Sequence, residues 1–326
     1  MESYQVAFLV ALSLTTVAVP ITLKILRSRG YLDRPNERSS HTVPTPRGAG
    51  LAQIVGGAGA FASSGGIPLS GLVALAGFSA LGASDDLRPR SPITRLMLQM
   101  AISIVAVALA FNSNYSFDLK LCLIGILAAL VMVGVVNATN FMDGINGISA
   151  AHGVIFGLVY GIILWQTNLT TWVSLAAALV GVSLAVLPWN WGKTARIFLG
   201  DSGSYLLGTS VAILFLVTWL LGPGLLIAAA PITIYLADTG STLMQRFWRR
   251  ESVTVAHREH VYQRLLRSGW SHPRTALFVA CFSITTGAIA IALQRGALVP
   301  QLGLVLLVAV ATMYISSPRL IVRDAT

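Results

Sequence analysis

Apolar residues along this chain gather into long runs, each near the length that carries a helix across a bilayer core, about 20 residues. Such runs cover 4–23, 49–64, 67–83, 96–111, 119–136, 147–165, 172–189, 204–221, 224–242, 275–293 and 298–315. The pattern predicts an all-α, polytopic integral membrane protein of about eleven transmembrane helices, built as one domain over 1–326. The second run is short and rich in Gly and Ala. Small residues let helices approach closely in lipid, which favours a buried helix there over a loop. The first run lacks a basic start and leads straight into a charged loop, so it reads as a helix, not a secretion signal.

Eleven crossings would place the two ends of the chain on opposite sides. Of the 22 Lys and Arg, all but Lys120 and Arg295 then fall on the face formed by 24–48, 84–95, 137–146, 190–203, 243–274 and 316–326. Basic residues concentrate in cytoplasmic loops. The N-terminus is therefore expected outside the cell and the C-terminus in the cytoplasm. Most acidic residues crowd the same face, and Asp238 lies in the ninth run, about one turn from its inner end. No ionisable residue is expected mid-bilayer, where a proton-driven transporter usually needs one. Chemistry is expected at the inner face.

Composition narrows the class further. Only 10% of the 326 residues are charged and 55% are apolar or aromatic. Soluble domains carry about 25% charged residues, and disordered chains need high charge with little apolar content. Both classes are excluded. Cys122 and Cys281 cannot frame a disulfide scaffold, and no Cys/His spacing of the zinc type occurs. In a membrane protein the net charge of +10 points to orientation and to contact with anionic lipid or phosphate, not to nucleic acid.

The polar segments on the basic face carry the specific signals. Residues 33–41 read D-R-P-N-E-R-S-S-H, and Arg47 precedes the second run. The stretch is either a positive-inside loop or a phosphate-binding strap, because Arg and backbone amides before a helix attract anions. Asp85 and Asp86 repel each other as neighbours and persist more easily beside a divalent cation or a cationic group; a solvated helix cap is the plainer alternative. Residues 137–147 crowd Asn137, Asn140, Asp143 and Asn146 between two runs, more side-chain amides than a simple turn needs. In 190–204, Asp201 begins a helix that suits a cap or a phosphate, and Phe198 could stack on a base or anchor the loop in lipid. Arg196 lies in the same loop. His257, His260 and Arg264 would share one helix face, suited to gripping a phosphate or sugar; a third ligand of the zinc type is missing. An amphipathic interfacial helix is the alternative. Together, Asp85, Asp86, Asp143 and Asp201 from three loops suit a hard divalent cation, Mg2+ above all, and a pyrophosphate substrate.

These motifs occur in the order and loops of the polyprenyl-phosphate N-acetylhexosamine-1-phosphate transferases, and the chain resembles that superfamily over about its whole length. It looks closest to the bacterial branch that starts O-antigen or other envelope polysaccharides, and more distant from the phospho-MurNAc-pentapeptide translocases. The resemblance implies transfer of a sugar 1-phosphate from a UDP-N-acetylhexosamine to undecaprenyl phosphate, with release of UMP. It implies Asp85, Asp86 and Asp143 in catalysis, and Asp201 with Asp143 at a Mg2+ site that would also accept Mn2+. It implies Asn137, Asn140, Asn146, Phe198, Arg47, Arg196, His257, His260 and Arg264 in substrate binding, and a homodimer. Two departures from the family stand out. Asn146 stands where many relatives have a second Asp, near the expected nucleobase. Tyr262 and Gln263 stand where other branches carry further His, which favours the polysaccharide branch. The donor sugar stays open among GlcNAc, FucNAc and QuiNAc.

On this reading the acceptor phosphate attacks directly in line, with Asp85 or Asp86 orienting it or taking a residual proton; a covalent aspartyl intermediate is the alternative. A transporter and a non-catalytic lipid-binding subunit are the rivals from other classes. A CDP-alcohol phosphotransferase does not fit, because Asp143-Gly144 is followed by Ile145-Asn146-Gly147.

Overall fold

A computed structural model describes residues 1–35, 43–111, 118–252 and 258–323. The protein opens with α1 (Ser3–Ser28), followed by two short strands, β1 (Leu32–Asp33) and β2 (Thr45–Pro46), paired antiparallel. Then come α2 (Gly50–Ser63), α3 (Leu69–Leu87), α4 (Pro92–Ala110), α5 (Leu119–Met142), α6 (Ile148–Gln166), α7 (Thr170–Asn190) and α8 (Gly200–Leu220). A short α9 (Leu225–Ala229) passes through a 3-10 turn (Ala230–Ile232) into α10 (Thr233–Trp248). The chain ends with α11 (Val261–Arg267), α12 (His272–Gln294) and α13 (Pro300–Arg323).

Each of the eleven apolar runs coincides with helix. Among the described residues, nine segments are long and apolar enough to cross a membrane: α1, α4 to α8, Leu225–Trp248, α12 and α13. Helix α2 has only 14 residues, and α3 carries Asp85 and Asp86 in its last turn. Helices suit this setting because each one satisfies its own backbone hydrogen bonds, which lipid cannot do.

Helix α8 is the hub. Every residue from Gly200 to Thr218 is buried, with α2, α3, α5, α6 and α7 packed around it. It therefore needs no polar face. At the periphery, α4 and α13 turn Ile93, Met97, Val305 and Val308 outward, as lipid-facing helices do. The short α2 is a helix, as its small residues predicted. At Gly50 a Cβ would collide with the backbone of Gly203, so glycine allows α2 to seat against the start of α8.

The ninth run differs from its expected form. Pro231 lacks an N–H and breaks the run into α9 and α10. Helix α10 then continues to Trp248, so Asp238 lies deep within it and not one turn from its end.

The polar loops come together at one end of the bundle. Phe198 N–H donates to the Pro46 carbonyl at 2.8 Å, and Gly48 and Ala49 donate to the Phe198 carbonyl at 3.0 and 2.9 Å. These bonds stitch the loop after β2 to the loop before α8.

Candidate active site

The last turn of α3 meets the first turn of α8. The Asp86 carboxylate accepts the N–H groups of Asp201 at 2.8 Å and Ser202 at 3.0 Å. Helix N-termini leave such amides without intrahelical partners and carry a partial positive charge, so a carboxylate is stabilised there. Gly200 makes the approach feasible. Its φ is +75°, and a Cβ would lie 2.6 Å from an Asp86 oxygen.

Arg47 joins the two acids. Its Nε lies 3.1 Å from Asp86 Oδ1 and its Nη2 donates to Asp201 Oδ1 at 2.7 Å. Burial works against this cation, but Asp201, Asp86, Asp33 and Asp143 outweigh it, and its pKa rises above the ordinary arginine value. Asp201 also accepts from Asn140 Nδ2 at 3.0 Å, and the same amide donates to Ser204 Oγ at 2.9 Å.

Asp85 faces different partners. Arg90 Nη1 lies 3.3 Å from its Oδ1, and Arg95 Nη1 lies 3.4 Å from its Oδ2. Arg95 also reaches to 3.9 Å from Asp201 Oδ2. The adjacent aspartates thus coexist without sharing one ion, because separate cations and amides neutralise each. Asn137, one turn before Asn140, donates to Gln99 Oε1 at 2.6 Å and to the Val133 carbonyl at 2.8 Å.

Asp143 caps the C-terminus of α5. Desolvation pushes its carboxyl up to about 7; the Ser149 hydroxyl and Arg47 pull against the rise, and Asp201 and Asp86 add to it. Asp143 therefore feels the same charges as the clamp around Arg47.

Beside this cluster lies a cavity of about 530 Å³ lined by Arg27, Thr45, Asn146, Lys193, Arg196 and Phe198, among others. Asn146 helps shape it. Its amide donates to the carbonyls of Gly192 at 3.0 Å and Lys193 at 3.2 Å, while its backbone N–H donates to His272 Nδ1 at 3.1 Å. The Arg196 guanidinium sits 5.5 Å over the Trp189 ring.

The histidine segment departs from its expected form. His257 lies outside the described residues. His260 is not on a helix with Arg264: α11 begins at Val261, and His260 is its extended N-cap. The cause is Asp238, which takes both the His260 ring and the Val261 N–H. Arg264 turns its Nε back to the Glu259 carbonyl at 2.7 Å.

Three polar residues at the cluster were not singled out from the sequence. Arg95 spans Asp85 and Asp201, and its position in the same short loop as the acid pair was the available signal. Ser204 closes the 190–204 segment and carries no signal of its own. Asn190 accepts from Gly147 N–H at 2.8 Å and donates to the Ile197 carbonyl at 2.9 Å, which the spacing does not reveal.

Among the described residues, no three His, Cys, Asp or Glu side chains group as a closed metal cage. Mg2+ does not require one; it commonly takes one or two carboxylates and completes its shell with water and substrate phosphate. Asp86 and Asp201 already converge on one cation, the Arg47 guanidinium. The donor set fits such an ion.

Residues 68–219 match the model of glycosyl transferase family 4, a span that holds Asp85, Asp86, Asn140, Asp143 and Asp201. The chain is similar to a probable undecaprenyl-phosphate N-acetylglucosaminyl 1-phosphate transferase of Bacillus subtilis, 26% identical over 89% of this chain and 84% of that protein. It is similar to the undecaprenyl-phosphate alpha-N-acetylglucosaminyl 1-phosphate transferase of Escherichia coli K12, 26% identical over 88% of this chain and 83% of that protein. A decaprenyl-phosphate N-acetylglucosaminephosphotransferase of Mycobacterium tuberculosis is 28% identical over 79% of this chain and 74% of its own length.

Proposed function

We propose that this multi-pass membrane protein, whose residues 68–219 match the model of glycosyl transferase family 4, moves an N-acetylhexosamine 1-phosphate from a UDP-sugar to undecaprenyl phosphate and releases UMP. The relatives' printed names favour GlcNAc as the sugar, with a 6-deoxy-N-acetylhexosamine as the variant donor. The observation that carries this reading is the Arg47 clamp. It draws Asp86 and Asp201 together beside a basic cavity with an aromatic wall.

The acceptor is a phosphate monoester with a second pKa of about 6, so it is mostly dianionic at neutral pH. Its obstacle is repulsion from an anionic pyrophosphate, not the lack of a base. Arg47 and Arg95 offset that repulsion, and Asp86 and Asp85 hold those guanidinium groups in place. Asp86 and Asp85 are each paired with a guanidinium that they orient, a role that favours direct in-line attack over an aspartyl intermediate. Asp201, with Asp143 as a second carboxylate, would hold Mg2+, which supplies charge neutralisation on the donor phosphates when bound. Phe198 and Asn146 line the cavity where the nucleoside would sit, with Lys193 and Arg196 at its wall.

The eleven apolar runs are taken as eleven crossings, and the basic residues then put the N-terminus in the periplasm, the C-terminus in the cytoplasm and the site at the cytoplasmic face of the inner membrane. Product then forms where a lipid acceptor meets a soluble donor, as the first membrane step of an envelope polysaccharide.

The test supplies undecaprenyl phosphate and a panel of UDP-N-acetylhexosamines to the purified protein in detergent. UMP release and the mass of the lipid product are the readouts. A transporter would yield neither, and absence of both with every donor would overturn the proposal.

A further inference from the structure

Asp238 lies outside the carboxylate cluster, yet it is fully buried in α10. Its Oδ1 accepts the Val261 N–H at 3.0 Å and lies 3.0 Å from His260 Nδ1. Its Oδ2 accepts the Tyr314 hydroxyl at 2.7 Å. Three segments therefore meet at one carboxylate: α10, the start of α11 and α13. A carboxylate only accepts, so Nδ1 is the ring nitrogen that carries the proton.

The contacts lead onward to the active-site loop. The His260 ring stacks on Tyr262, with centroids 5.8 Å apart and planes 12° off parallel. The Tyr262 hydroxyl donates to the Phe141 carbonyl at 2.9 Å, two residues before Asp143. The Phe141 and His260 rings lie 6.1 Å apart. Apolar side chains could hold three helices together without burying a charge. A carboxylate with several directed partners instead sets orientation.

We propose that Asp238 is a positioning residue. It holds His260 in the Nδ1–H tautomer and pins segment 260–262 against the loop that carries Asp143, so both keep one register during turnover. The catalytic half of this inference rests on the transferase reading above.

The test uses the full-length protein in detergent, with three variants and four readouts: kcat, donor KM, melting temperature and the tautomer of His260 by ¹⁵N-histidine NMR. Asp238→Leu removes the acceptor. It is expected to abolish the Nδ1–H signature and to lower kcat about 10- to 100-fold, as loss of an imidazole's orienting carboxylate commonly does, with donor KM near wild type. Tyr262→Phe cuts the link to the Phe141 carbonyl, leaves Asp238 untouched, and is expected to lower kcat with little change in melting. Tyr314→Phe removes a bond to Oδ2 only. It is expected to melt earlier while keeping the tautomer and near wild-type kcat.

Retention of tautomer and turnover in Asp238→Leu would overturn the proposal. So would loss of turnover in proportion to melting across the variants. If Asp238→Leu fails to fold, unchanged kcat in Tyr262→Phe overturns the link to the Asp143 loop. A wild-type protein that makes no UMP from any donor sinks the transferase reading instead, and the histidine spectrum still decides the tautomer.

Discussion

Arg47 reaches Asp86 with Nε and Asp201 with Nη2, and that division of labour depends on the planar fork of a guanidinium. Lysine at this position keeps the charge but cannot bridge both acids in the same geometry. Arg47→Lys is therefore expected to lower kcat/KM at least about tenfold, since a charged hydrogen bond contributes about 1.5–3 kcal/mol. Steady-state UMP release measures this. Asp201 accepts from Arg47 and Asn140 and is the proposed metal carboxylate. Asp201→Ala is expected to abolish Mg2+-dependent UMP release while the protein still inserts in the membrane; full activity would remove the metal assignment. Gly200 has φ +75° and no room for a Cβ beside Asp86. Gly200→Ala is expected to cost about 1–2 kcal/mol from the left-handed backbone alone, read as a lower melting temperature in detergent. The acids and Asn140 were legible as chemistry-bearing residues because a carboxylate or amide between apolar runs needs a reason to be there. Arg95 was legible only through its nearness to the acid pair, since one arginine in a basic loop looks like any other.

At the scale of elements, the loop before α8 is held from two directions. Backbone bonds tie it to the loop after β2, and the Asn146 amide ties it to the loop after α5. Asn146→Ala removes the second tie beside the cavity. We expect donor KM to rise about three- to tenfold with a smaller effect on kcat, because two hydrogen bonds of about 0.5–1.5 kcal/mol each shape the binding wall and not the reacting centre. A KM unchanged from wild type would show that the loop is held without Asn146. The apolar runs located each of the long helices, because their length and polarity are local properties. The break at Pro231 could be suspected from a proline inside a run, but the extension of α10 to Trp248 could not. The histidine segment shows the same limit: its i, i+3, i+7 spacing is compatible with one helix face, but capture of the Val261 N–H by Asp238 starts the helix after His260.

For the whole molecule, the uneven distribution of Lys and Arg makes a direct claim about orientation. In a chain whose Cys122 and Cys281 have been replaced, single cysteines at Lys120 or Arg295 are expected to react with a membrane-impermeant maleimide in intact cells. One at Lys193 is expected to react only after permeabilisation. The opposite pattern would invert the topology and place the site on the outer face. The amino-acid sequence by itself determined that the chain is helical and membrane-embedded and that its polar chemistry lies between the apolar runs. It could do so because lipid forces every backbone polar group to find its partner within its own segment, so each helix is a local decision. Only tertiary structure decided which charge meets which. Asp86 meets an amide 115 positions away, and Arg47 meets a carboxylate 154 positions away. Such pairings depend on how each helix is rotated and seated against its neighbours, and close packing sets that rotation through contacts that no stretch of sequence contains alone.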